Sequence, residues 1–265
     1  MADTATNLGR IELTTKSARV KTARAKPVRL LQQYFYFFMS LLIAVIVVYG
    51  FSHTIDERLI HAAVRRPFIL YLHAAIFFGW VLFFIFQSLL VRTRKVRLHR
   101  QIGWFGVGLG VAISVLGIST AITMTRFQMY RLHAVEDAVT DLIGPFLDMT
   151  SFTVPFVLAI YWRKKLEYHR RLLLVATCVL TSAAFSRMSL QMLPVLPNML
   201  IFIWIYGGVD VLIFLGVVRD LIVDRRIHPV YLYALPALLA AQVIVICMYQ
   251  YDWPLCVKIA HAVVG

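Results

Sequence analysis

The sequence predicts an all-α integral membrane protein, a bundle of seven transmembrane helices with its N-terminus cytoplasmic and its C-terminus periplasmic. Three observations predict it. The 265-residue chain is 60% apolar and only 15% charged, against about a half and a quarter in a soluble domain. Apolar runs long enough to cross a bilayer recur along its whole length. Basic residues are abundant and scarce by turns from one connecting segment to the next. A soluble enzyme, a nucleic-acid binder and a disordered chain are excluded. The net charge of +14 would suggest nucleic acid in a soluble protein, but anionic lipid explains it better here.

A helix needs about 20 apolar residues to cross about 30 Å of hydrocarbon. Residues 1–29 hold seven basic residues and no apolar periodicity, which reads as a disordered cytoplasmic arm near lipid headgroups. The first apolar stretch, Leu30–Phe51, is already a full span, so no cleavable signal peptide is expected. The second span is Pro67–Val91, with His73 as its only ionisable group, and the third, Gln101–Met124, has no charge. The fourth, Leu142–Trp162, contains Asp148; the fifth, Arg171–Pro194, contains Arg187. The sixth, Asn198–Val218, contains Asp210, and the seventh, Pro229–Tyr251, is free of charge. The transmembrane domain thus covers 30–251, and 252–265 forms a short periplasmic tail. A β-barrel would show alternating strands of about ten residues, and these runs do not alternate.

Orientation follows from Lys and Arg, because basic loops stay cytoplasmic. With the N-terminus inside, segments 1–29, 92–100, 163–171 and 219–228 hold 20 of the 27 basic residues. The outer segments hold six, and Arg187 lies within a span. Cys178, Cys247 and Cys256 form no C-x-x-C and read as packing residues. Neither Asn7 nor Asn198 begins a glycosylation sequon, which fits a bacterial inner membrane.

Ionisable groups inside a span are costly, so each is a candidate site. His73, Asp148, Arg187 and Asp210 all fall in the outer half of the bundle, and the inner half is expected to be free of charge. One reading pairs Arg187 with Asp148 or Asp210 to neutralise buried charge. The other is a polar cavity open outward that binds a ligand, metal or proton. Before the fourth span, His133, Asp137 and Asp141 recur every four residues and would share a helical face, a pattern able to bind a metal or to be a solvated acidic face. Gly103, Gly106, Gly110, Ser114 and Gly117 line one face of the third span, where a neighbouring helix can approach closely or a planar ring can lie. His99 and His169 sit at cytoplasmic span ends beside arginines, as headgroup anchors or ligands.

The pieces Leu72-His73, Leu98-His99-Arg100-Gln101-Ile102-Gly103 and His169-Arg170-Arg171 resemble those of a broad group of multispan bacterial inner-membrane proteins. Asp210 and Arg226-Ile227-His228-Pro229 belong to the same pattern. That group carries no assigned activity, so the resemblance implies architecture only. More distantly, the in-span histidine with Leu-His-x-x-x-Gly is similar to the ascorbate-reducible transmembrane b-type cytochromes. That resemblance implies haem b, with His73 and His133 as ligands toward the outer surface. His99 and His169 would then serve the inner one, and Arg187 would face a propionate. No second in-span histidine matches the depth of His73.

Desaturase histidine boxes, a Schiff-base lysine in the last span and H-E-x-x-H are all absent. Three functions remain: haem electron transfer with a quinol-like donor, a non-enzymatic binder or carrier of a small solute, metal or proton, and an accessory subunit of a membrane complex.

Overall fold

The computed structural model describes residues 28–131, 142–192 and 198–250, with residues 258 and 262. Among the described residues the regular structure is entirely helical. Helix α1 is Val28–Ser52. After a π-helical turn at Asp56–Ile60 come α2 (Phe68–Arg92), α3 (Val96–Arg131), α4 (Ile143–Tyr161), α5 (Leu166–Val179), α6 (Ser182–Met192), α7 (Asn198–Val223) and α8 (Pro229–Gln250). Seven helices are long and apolar enough to cross a membrane, with α5 and α6 together forming the fifth, Leu166–Ser189. The chain has the architecture of a multi-pass membrane bundle.

The fifth span is its axis. Its apolar window is 67% buried, against 11–33% in the other six. On one side Leu174, Val175 and Cys178 pack with Met39 and Ile43 of α1, Val209 and Ile213 of α7 and Tyr231 of α8. On the other, Ala176 packs with Trp80 of α2, Ile113 of α3 and Phe152 and Phe156 of α4. Phe152 and Phe156 stack at 5.5 Å and both take the edge of Trp80, the geometry that suits ring quadrupoles. Trp80 Nε1 donates to Thr177 Oγ1 at 3.3 Å, so the indole N–H is satisfied in the core. Outward faces remain apolar, as at Phe38, Val45, Phe105 and Val211, which suits lipid rather than water as their solvent.

The α2–α3 hairpin closes on Arg94 in the left-handed region, φ 61°. Arg94 N–H donates to Val91 O and Lys95 N–H to Leu90 O. This is a Schellman cap, usually built on glycine.

Three sequence expectations are corrected. Helix α3 runs 36 residues, Val96–Arg131, beyond the Gln101–Met124 span, because its polar ends continue the helical hydrogen bonding outside the apolar stretch. The fifth span breaks at Leu180–Thr181. Both the N–H and the hydroxyl of Thr181 turn back on the Cys178 carbonyl, at 3.0 and 2.6 Å, and such side-chain competition interrupts the ladder. Third, the half of the bundle expected to be free of charge, the end where α1 begins, is not. Helix α7 extends to Val223, and Arg171, Arg219 and Asp220 are each no more than 1% exposed.

Candidate functional site

The break in the fifth span positions the site. Ser182 opens α6 immediately after the turn, and its Oγ donates to Asp148 Oδ2 on α4 at 2.6 Å. The positive end of the α6 dipole therefore also faces this carboxyl group. Across the cleft, Gln242 Nε2 of α8 donates to Asp210 Oδ1 of α7 at 3.1 Å. Asp148, Ser151, Ser182, Tyr206 and Gln242 line a cavity of about 10 Å³, room for about one water. Both acids take their cross-helix hydrogen bond from a neutral side chain. A polar group in this cavity can exchange a proton with a single water and can accommodate little else.

Arg187 and His73, the other in-span candidates, are not among the residues lining that cavity. Arg187 donates to the Ala183 carbonyl at 2.6 Å and lies 4.1 Å over the Phe51 ring. It is within electrostatic reach of His73. The structure therefore groups Arg187 with His73 and gives Asp148 and Asp210 their own partners. The His73 ring stacks on Phe77 at 4.0 Å, with Nδ1 buried and unbonded. His133, Asp137 and Asp141 lie outside the described residues, so the metal stripe and the outer ligand pair do too. Among the described residues no group of three His, Cys, Asp or Glu side chains could hold a metal ion.

At the opposite end, where α1 begins, the fold brings His99 of α3 within electrostatic reach of His169 of α5. His169 Nδ1 is 2.9 Å from the Ala159 carbonyl, the contact that leaves Nε2 free as a ligand atom. The buried Gln87 side chain has neither amide atom bonded, and His99 Nδ1 is likewise unbonded. Of the histidines expected to hold haem, His99 and His169 are the pair that the fold brings together among the described residues. The α3 glycine face does not fit a planar ring, because Phe83 fills it at Gly106, Phe156 at Gly110 and Met149 at Gly117.

The same end carries a cluster that the sequence reading passed over. Arg171 on α5 holds Asp220 on α7 by Nε and Nη2 at 2.7 Å each, and Asp224 at 2.8 Å. It also bonds Glu167 one turn earlier. Arg219 Nη1 reaches Asp220 at 2.8 Å and Asp224 at 2.6 Å. The signal was present: nothing between Val218 and Val223 breaks a helix, and Asp220 and Asp224 stand four residues apart on one face.

The fold and the cleft define a class: a helical membrane bundle with a water-sized cavity at a broken helix, lined by Asp148 and joined through Gln242 to Asp210. No family model, curated protein or solved structure matches the chain.

Proposed function

We propose that the chain is a non-enzymatic proton-binding carrier of the bacterial inner membrane, with its N-terminus cytoplasmic. Asp148 and Asp210 are its exchanging groups. One observation carries this reading: Asp148, hydrogen-bonded by Ser182, lines a cavity of about 10 Å³ at the break in the fifth span, and Gln242 on the same cavity wall donates to Asp210. That volume suits a proton with one water and is too small for an organic solute. Broken helices within membranes characteristically line such sites. The orientation rests on the 20 of 27 basic residues that fall on one set of loops.

Full-length protein in liposomes carrying a pH-sensitive dye tests the reading. Proton uptake driven by an imposed gradient is expected, and Asp148→Asn or Asp210→Asn should abolish it. Uptake unchanged by both substitutions overturns the assignment. Membrane-impermeant thiol labelling of Lys165→Cys from the cytoplasmic side alone is expected for the stated orientation.

A second reading rests on the inner histidines. The closeness of His99 and His169, with the unbonded Gln87 amide nearby, favours haem b there. Haem would supply one-electron redox chemistry toward a quinol-like donor. Purified protein should then show a Soret band lost on His169→Ala. A colourless protein with no extractable haem removes this reading and leaves the first intact.

A further inference from the structure

We propose that Arg219, Arg170 and Tyr36 form a binding site for a phosphate group at the end of the bundle where α1 begins.

The case starts from hydrogen bonds that are not made. Arg219 is 1% exposed and uses only Nη1, toward Asp220 and Asp224. Its Nε and Nη2 are buried with no partner among the described residues. Tyr36 Oη and Arg170 Nε are buried and unbonded as well. Buried polar groups nearly always find a partner, and leaving one bare costs about 1–3 kcal/mol, more if it is charged. Four orphans in one neighbourhood therefore call for a ligand.

They are close together. The Arg170 and Arg219 guanidinium carbons lie 5.3 and 5.9 Å from the centre of the Tyr36 ring. Their chemistry selects the ligand. Arginine can only donate, and a phenol can donate too, so the missing group must bring several acceptor oxygens. The guanidinium fork matches a tetrahedral oxyanion with two oxygens presented side by side. Glu167, Asp220 and Asp224 already match the three arginines in charge, so the site selects its ligand by the number and geometry of acceptor oxygens, which a phosphate group supplies. Lys164, Lys165, Arg225 and Arg226, exposed in the segments next to α5 and α7, add positive charge at this end of the bundle.

Depth narrows the source. Arg170 is four residues inside α5, and Arg219 four residues before the end of α7. At 1.5 Å per residue each lies roughly 6 Å in from its helix end, a depth that lipid phosphates reach. The phosphate can belong to an anionic phospholipid or be free in solution, and the experiment separates them.

Thermal unfolding of the full chain in detergent is followed with three probes: inorganic phosphate, dioleoyl-phosphatidylglycerol in mixed micelles, and dioleoylglycerol as the phosphate-free control. A rise in midpoint with a phosphate probe and none with dioleoylglycerol is expected. A rise with inorganic phosphate identifies a free ligand, and one requiring phosphatidylglycerol identifies a lipid headgroup. Tyr36→Phe and Arg170→Gln, which leave the Arg171–Asp220 pair intact, should each weaken binding about tenfold, the loss of one charge-assisted or buried hydrogen bond. Equal shifts with dioleoylglycerol, no shift with either phosphate probe, or unchanged binding in both variants overturns the site.

Discussion

Arg171 and Asp220 stand 49 residues apart and meet through two parallel hydrogen bonds of 2.7 Å, with both side chains shut away from solvent. This bidentate contact ties α5 to α7 and sets the register between the central helix and its neighbour. Removing the Asp220 charge takes the shared carboxylate from two buried guanidiniums and leaves Arg171 and Arg219 only the half-exposed Asp224 and Glu167. Asp220→Asn is expected to cost about 3–5 kcal/mol. Replacing both with leucine should cost clearly less than the sum of the single changes, since no orphaned charge remains. Chemical unfolding of all three variants in detergent measures the coupling. Strict additivity would show that the pair contributes no specific link.

The glycines of α3 divide into two groups. A methyl group on Gly110 would overlap the Phe156 ring, and one on Gly117 would overlap Met149, whereas Gly103 has open space. Gly110→Ala is expected to lose about 1–3 kcal/mol through overpacking. Gly103→Ala should be neutral or stabilise by up to about 1 kcal/mol, the helix preference of alanine over glycine. Phe156→Leu should recover part of the Gly110→Ala loss. Equal effects at Gly103 and Gly110 would contradict the packing.

Which parts were legible from the chain follows from the same physics. Apolar length is a one-dimensional property, so the number of spans was readable, and five of them begin within two residues of expectation. Asp148 and Asp210 were readable because an acid in an apolar run stands out. Their partners were not. Ser182 and Gln242 are neutral, come from distant segments and acquire meaning only once the helices pack. The Arg171–Arg219–Asp220 cluster was hidden for the opposite reason. Charges at a span end look like loop residues, and only the helix continuing to Val223 with its polar face turned inward buries them. The turn at Thr181 carries neither glycine nor proline, and its cause is a hydroxyl that competes with the helix ladder.

His228 couples this end of the bundle to pH. Its Nδ1 accepts from Val230 N–H at 3.2 Å, and its carbonyl accepts from Tyr231 N–H at 3.0 Å, so it caps α8. Burial, helped by the Arg171 guanidinium, holds its pKa below the ordinary 6.5. The unfolded chain therefore binds the proton more readily than the fold does. The cap's contribution is complete above about pH 6.5 and is lost as pH falls below that value. The unfolding midpoint should drop over that range. His228→Asn keeps a capping acceptor without titrating and should flatten that component. An identical pH profile in the variant would place the sensitivity elsewhere.

The buried acids fall into two chemical classes that a reagent can tell apart. Hydrophobic carbodiimides attack protonated carboxyl groups in apolar surroundings. Asp220 is paired with the guanidiniums of Arg171 and Arg219, whereas Asp148 faces the neutral Ser182 and Asp210 the neutral Gln242. Treating the folded protein with dicyclohexylcarbodiimide and mapping the adducts by mass spectrometry should modify Asp148 and Asp210 and spare Asp220. Ser182→Ala removes the hydroxyl that supports the ionised form of Asp148 and should raise labelling there without changing labelling at Asp210. Modification of Asp220 at the rate of Asp148 would mean that the arginine clamp does not set its state. Inert Asp148 and Asp210 would remove the neutral donors as the reason for their reactivity.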